Sequence, residues 1–171
     1  TGAGQVTVTS FSVPNGSLDA WRVRLAARAV AVTDIAPRFG EPVLRFADRS
    51  GLTFELIATD RDLRTPWMAE GLDAATAIRG LHSVTMVVRD AAPTLDLMTR
   101  VLGYTVVDEL DQRIRLAVNG GGPGRTIDVA HQADAVPARN GLGTVHHVAM
   151  AIASADAQLR LTLAQGTGEQ I

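Results

Sequence analysis

The sequence predicts an α+β fold of repeated βαβββ modules, with the strands forming a curved, barrel-like sheet and the helices outside. Three observations predict it. The chain opens the same way three times, at Val6–Val30, Leu81–Tyr104 and Val145–Gly166: an alternating strand, a short turn, then a helix with apolar residues three and four apart. The first two openings are each followed by further short strands separated by turn signals. Between the repeats lie stretches that carry Pro and Arg rather than a periodic pattern.

Taken in order, the first helix is expected on the stripe Leu18, Trp21, Leu25, with Ser17 placed to cap it. A faint strand near Val30–Thr33 and clearer ones at Val43–Ala47 and Leu52–Thr59 follow, the last two joined by the turn Asp48-Arg49-Ser50-Gly51. The second helix takes Leu95, Met98 and Leu102, started by Asp90 with Pro93 and stopped by Gly103. Strands are then expected at Thr105–Glu109, Ile114–Val118 and Thr126–Ala130. The run Gly120-Gly121-Gly122-Pro123-Gly124 lacks the Lys and the following helix of a phosphate loop, so it reads as a hairpin loop. The third repeat offers one strand and a helix on Leu159 and Leu163, started at Ser154, with Gly166 a candidate stop. The expected organisation is a module at 1–60, a linker at 61–77, a module at 78–131, a linker at 132–142 and an incomplete module at 143–171. The absent initial Met and the halt at Ile171 predict a segment of a longer protein.

Composition excludes several classes. A net charge of −2 and the absence of a basic run argue against nucleic acid as a partner. No apolar run approaches the ~18 residues of a membrane span, and no signal peptide opens the chain, so no membrane partner is expected. With no cysteine there are no disulfides and no thiolate ligands, which fits a cytoplasmic location. Any metal must then be held by His, Asp, Glu or water.

Strand parity turns the repeats into chemistry. Phe11 and Val13, then Val84, Met86 and Val88, then Val148, Met150 and Ile152 should pack on the helices. Val8, Ser10 and Ser12, then Ser83, Thr85 and Val87, then His147, Ala149 and Ala151 face the concave side. Val8, Ser83 and His147 become one structural position, and only His147 can bind a metal. His82 and His146 fall on the helix side. Glu55 and Asp128, each alternating between apolar neighbours in a last strand, also match, and both project from the concave face. A dry, unpaired carboxylate is costly, so solvent or an Arg partner is expected, with Arg45 and Arg115 at matching places. Trp21 reads as core, Trp67 as packing across modules, and His82 and His131 as surface or hydrogen-bonded.

This grammar, with His147 opening one strand and an acid in each last strand, resembles the vicinal-oxygen-chelate superfamily of glyoxalases, bleomycin-resistance proteins and extradiol dioxygenases. Four stretches, SFSVPNGSLDAWRVRL, RFGEPVLRFADRSGLTFELIA, AIRGLHSVTMVVRDAAPTLDLM and GLGTVHHVAMAI, most resemble the hydroquinone-type ring-cleaving dioxygenases. The resemblance implies a glyoxalase/dioxygenase fold in which this chain is modules two, three and the start of four. Iron in that family is held by a His from module one and a His and a Glu from module four, so only His147 carries over as a metal ligand. Glu55 and Asp128 are left at ligand-equivalent positions. The implied cofactor is Fe(II), or else Mn(II) or Zn(II). The implied partners are a small catechol- or hydroquinone-like diol and O₂, with room for a homodimer. A glyoxalase-like metal-dependent isomerase or lyase, or a metal-free binding protein of the bleomycin-resistance kind, are the alternatives.

Overall fold

A strand whose residues alternate between aliphatic and small polar side chains must find something apolar on one face and something polar on the other. Gln5–Val13 (β1) does so by setting Phe11 and Val13 against the helix Leu18–Ala26 (α1), where Leu18, Trp21 and Leu25 are buried. Its other face carries Ser10 and Ser12, both fully buried. The computed structural model describes residues 2–151, 154 and 156. After α1 come Val32–Arg38 (β2), Glu41–Ala47 (β3) and Thr53–Ala58 (β4). The second unit repeats the order with Gly80–Val88 (β5), the short helix Ala92–Asp96 (α2), Thr105–Leu110 (β6), Arg113–Ala117 (β7) and Thr126–His131 (β8).

The eight strands make one mixed sheet in the order β2-β3-β4-β1-β5-β8-β7-β6. Within each unit the opening strand runs parallel to the last one, and the remaining strands are antiparallel neighbours. The units join by antiparallel pairing of β1 with β5. Ser10 lies beside Glu55 and Thr85 beside Asp128, so Ser10 and Thr85 are equivalent, as are Val8 and Ser83. By the same offset Thr9 is equivalent to Val84, the residue it pairs with, which places a local two-fold axis through that pair.

Two apolar clusters form, one per unit. The first gathers Val13, Trp21, Leu44 and Leu56, and the second Val84, Met98, Leu116 and Val129. Trp21 is core, as its stripe predicts, and its indole donates to the Thr76 carbonyl at 2.8 Å, tying the following segment to α1.

Several local expectations change. Ser17 holds the cap position but has helical dihedrals, so its hydroxyl donates back to the Pro14 carbonyl at 2.7 Å instead of capping. The second helix widens into a π-helical turn over Leu97–Val101 before Gly103, at φ +73°, stops it. β2 is longer than its faint pattern suggested: it is an outer strand, largely exposed, with no alternation to read. Trp67, expected to pack across modules, is instead 76% exposed. Over residues 145–151 the chain pairs with no strand, so the expected third opening strand is absent there. A strand exists only as one side of a ladder, and this segment instead lies over the second cluster, with Val148 packed on it. The expected third helix lies outside the described residues, apart from Asp156.

Burial makes a direct prediction. Leu56→Ala removes a fully buried side chain and should cost about 2–5 kcal/mol in urea unfolding. Val23→Ala, on the outer face of α1 and 72% exposed, should stay within about 0.5 kcal/mol.

Candidate functional site

The concave face of the sheet is occupied by charge. Glu55 and Asp128 are both fully buried, each in the last strand of its unit and each facing the hydroxyl-bearing residue of the opening strand. Arg45 and Arg115 lie directly across from them on β3 and β7, as the matching positions predict. Arg45 donates from Nε and Nη2 to Glu55 Oε1 at 3.0 and 2.6 Å. Arg38 adds a second fork onto Glu55, with Nη1 at 2.9 Å, and Ser10 Oγ donates to Oε2 at 3.1 Å. Asp128 receives Arg115 Nε and Nη2 at 2.8 and 3.1 Å, and Arg113 Nη1 more loosely at 3.4 Å.

Glu41, at the start of β3, ties the two units together. Its Oε2 accepts from Arg115 Nη1 at 2.8 Å, and its Oε1 takes Arg61 and, at 3.3 Å, His82 Nε2. Arg115 also lies over the Phe39 ring, 4.1 Å from its centroid. Parity placed His82 on the helix side, and the structure corrects this. Ser10 pairs with Ser83 and Phe11 with Leu81, so His82 is the extra residue of a β-bulge. The bulge turns its ring into the charged layer, where it is 1% exposed and also bonds Ser83 Oγ at 3.0 Å. A cavity of about 220 Å³ opens beside it, walled by Phe39, Arg61, Arg115 and the Gly120–Gly122 loop.

Burial alone would push the carboxyls of Glu41 and Glu55 up. Hydrogen bonds and charge from their partners outweigh it, and both titrate below the usual carboxylate range, Glu41 well below it. For Glu41 the partners are His82, Arg115 and Arg61; for Glu55 they are Arg38 and Arg45.

His147 is elsewhere. It lies exposed in the unpaired segment, its Nδ1 3.0 Å from Nδ1 of His146, with the rings edge to face. His131 is hydrogen-bonded, Nε2 to the Arg89 carbonyl at 3.0 Å. Among the described residues no three His, Asp or Glu side chains converge on a point that could hold a metal. The two carboxylates nearest in role, Glu55 and Asp128, are already saturated by guanidinium donors. The described residues therefore do not fit a closed metal triad.

The family model of the Glyoxalase/Bleomycin resistance protein/Dioxygenase superfamily matches residues 80–167, and the chain belongs to that superfamily. MhqE of Bacillus subtilis, whose name places it among ring-cleaving dioxygenases, is 36% identical over 148 residues, which is 86% of this chain and 48% of that protein. The chlorohydroquinone/hydroquinone 1,2-dioxygenase of Sphingobium indicum is 32% identical over 94% of this chain and 51% of its own length. The chain thus spans about half the length of the curated relatives it matches. A crystal structure of a Bacillus subtilis protein assigned as a dioxygenase superposes with a TM-score of 0.86 at 29% identity, over 97% of this chain and 53% of that one. Glyoxalase I from Zea mays, in its V278E variant, shares the fold alone, with a TM-score of 0.54 at 15% identity, over 78% of this chain and 44% of that one.

Two predictions follow from the charged layer. Arg115→Ala would strand Asp128 and Glu41 in the interior and should cost about 3–5 kcal/mol. Removing the solvent-exposed Arg100–Asp96 pair with Arg100→Ala should cost no more than about 0.5 kcal/mol. The second concerns acid. Glu41 and Glu55 bind protons more weakly folded than unfolded, so their contribution is complete above the unfolded value of about 4.3 and drains as pH falls toward their depressed folded values. Urea midpoints taken from about pH 7 down to about pH 3 should fall steeply only below about pH 4.5. Glu55→Gln should be less stable at neutral pH and should flatten that slope.

Proposed function

We propose that this chain serves a ring-cleaving dioxygenase acting on a catechol- or hydroquinone-like diol with O₂, and that His147 is its contribution to the metal site. The observation that carries the reading is similarity over nearly the whole chain to MhqE and to the Sphingobium hydroquinone dioxygenase. Fe(II) suits a site of imidazole and carboxylate without thiolate, with Mn(II) and Zn(II) as the other metals such ligands take. When bound, such an ion supplies open positions for a chelating diol and for oxygen.

His147 presents an exposed imidazole beside that of His146, and a hydrogen bond between them fixes which nitrogen of each ring is left free. The two βαβββ units contribute a rigid sheet whose concave acids are neutralised, so neither competes for the metal. The remaining ligands lie outside the described residues. The same reading divides the chain into modules at 1–60 and 78–131 and the start of another at 143–171, and places the protein in the cytoplasm.

The test is iron content measured by plasma mass spectrometry after anaerobic loading of the intact protein, together with oxygen uptake on hydroquinone and on catechol. His147→Ala should lower bound iron at least about tenfold, since two remaining ligands no longer close a coordination face. Ser83→Ala, at the equivalent position of the second unit, should leave iron unchanged. Equal loss from His146→Ala with iron retained in His147→Ala would move the ligand by one residue. Turnover of a thiol–aldehyde adduct without oxygen uptake would replace the dioxygenase with an isomerase.

A further inference from the structure

The charged layer does not balance. Around Glu41, Glu55 and Asp128 lie the guanidiniums of Arg38, Arg45, Arg61, Arg113 and Arg115, five cations on three carboxylates. The surplus is concentrated at one side. Arg115 is fully engaged with two carboxylates, while Arg113 uses only Nη1, on Thr85 Oγ1 at 2.9 Å and on Asp128 at 3.4 Å. Its Nε and Nη2 donate to none of the described residues. Arg38, 8% exposed, has its Nε buried with no acceptor. Burial, and then the charge of Arg38, lowers the affinity of Arg113 for its own proton, as expected of a cation short of counter-charge.

Arg113 and Arg45 share a wall of a cavity of about 400 Å³, and with Arg38 they also line the adjoining cleft. Val8, Val87 and Val136 give the same cavity aliphatic lining beside Thr7, Thr53 and Thr85. A cavity of that size, lined by both guanidinium donors and aliphatic side chains, is of the kind that takes a small amphiphilic molecule. Guanidinium forks match a carboxylate in plane and in charge.

We infer that this cavity binds a small organic carboxylate, its anionic head on Arg113 and Arg45 and its apolar body against Val8 and Val87. The inference is independent of the ring-cleaving reading, since it uses neither His147 nor a metal. It also accounts for a buried cation surplus that would otherwise only destabilise the sheet.

The experiment titrates the metal-free chain, labelled with ¹⁵N at arginine, with benzoate, succinate, inorganic phosphate and neutral benzamide in turn. The Nε–H signals of Arg113, Arg45 and Arg38 report occupancy directly and need no variant. Benzoate should shift Arg113 saturably, succinate should do so more weakly for want of an apolar ring, and benzamide should leave it unmoved. Calorimetry should show benzoate affinity falling at least about tenfold in Arg113→Gln, and by less in Arg113→Lys, which keeps the charge but not the fork. Arg89→Gln, on the surface after β5, should bind as the parent does. An unmoved Arg113 signal at millimolar benzoate, an equal response to benzamide, or tighter binding of phosphate than of either carboxylate would each overturn the assignment.

Discussion

Glu55 and Asp128 are carboxylates buried in the middle of a sheet, and they set the terms for the strands around them. A carboxylate without water needs several donors in fixed positions, and truncating one partner of such a pair strands the other. Arg45 and Arg115 meet that need only because β3 and β7 run beside β4 and β8 in the register that puts each guanidinium directly opposite its acid. A slip of one residue would carry each acid onto the helix side and each neighbouring aliphatic into the charged layer, inverting every side chain of the strand. The ion pairs therefore act as a register device as much as a source of stability. Glu41 extends the device across the molecule: by accepting from Arg115 it links the first unit's hairpin to the second unit's interior strands. The two units are held together by this contact as well as by the β1–β5 ladder.

The two-fold relation makes the departures from it informative. Ser10 matches Thr85, Glu55 matches Asp128 and Arg45 matches Arg115, so one polar solution has been used twice. The match fails at the β2–β3 hairpin. Arg38 and Glu41 there extend β3 inward by two residues relative to β7, whose hairpin closes at Leu110 and Arg113. It fails again in kind at His82: its bulge has a counterpart at Thr7 of β1, but an imidazole stands where the first unit has a hydroxyl. Both departures add charged or titratable groups to the same layer, where Glu41 accepts from Arg115 and His82 bonds Glu41. By holding Arg115 on Glu41 as well as Asp128, they leave Arg113 to face open space.

Much of this could be read from alternation. Apolar residues two apart fixed the helix-facing sides of β1 and β5, and acids between aliphatics marked the concave positions of Glu55 and Asp128, with Arg45 and Arg115 opposite. What escaped was whatever breaks a period. A bulge adds one residue without changing the local pattern, so His82 read as helix-facing although its ring is in the charged layer. Arg38 ends a strand, β2, too exposed to show alternation, and its role in pairing Glu55 depends on a hairpin turn rather than on strand periodicity. The segment around His147 has the periodicity of a strand, but pairing requires a strand edge alongside it, and over residues 145–151 it pairs with none of the described strands. The position of His147 as a candidate ligand therefore came from the resemblance and from equivalence with Val8 and Ser83, not from a ladder.

The charge arrangement also bears on where metal chemistry can occur. Glu55 and Asp128 occupy the places that resemblance makes equivalent to a ligand carboxylate. To bind a divalent ion, either would have to give up the guanidinium bonds that pair it in the interior. Two cations would then be exposed next to a third, in a low-dielectric layer already carrying surplus positive charge, where like charges repel strongly. Every step toward placing a dication there works against the electrostatics of the layer, whereas an anion entering the same space relieves them. The concave face is thus suited to anions and unsuited to metal ions. The imidazoles of His146 and His147, exposed and bonded to each other outside that layer, carry no such penalty.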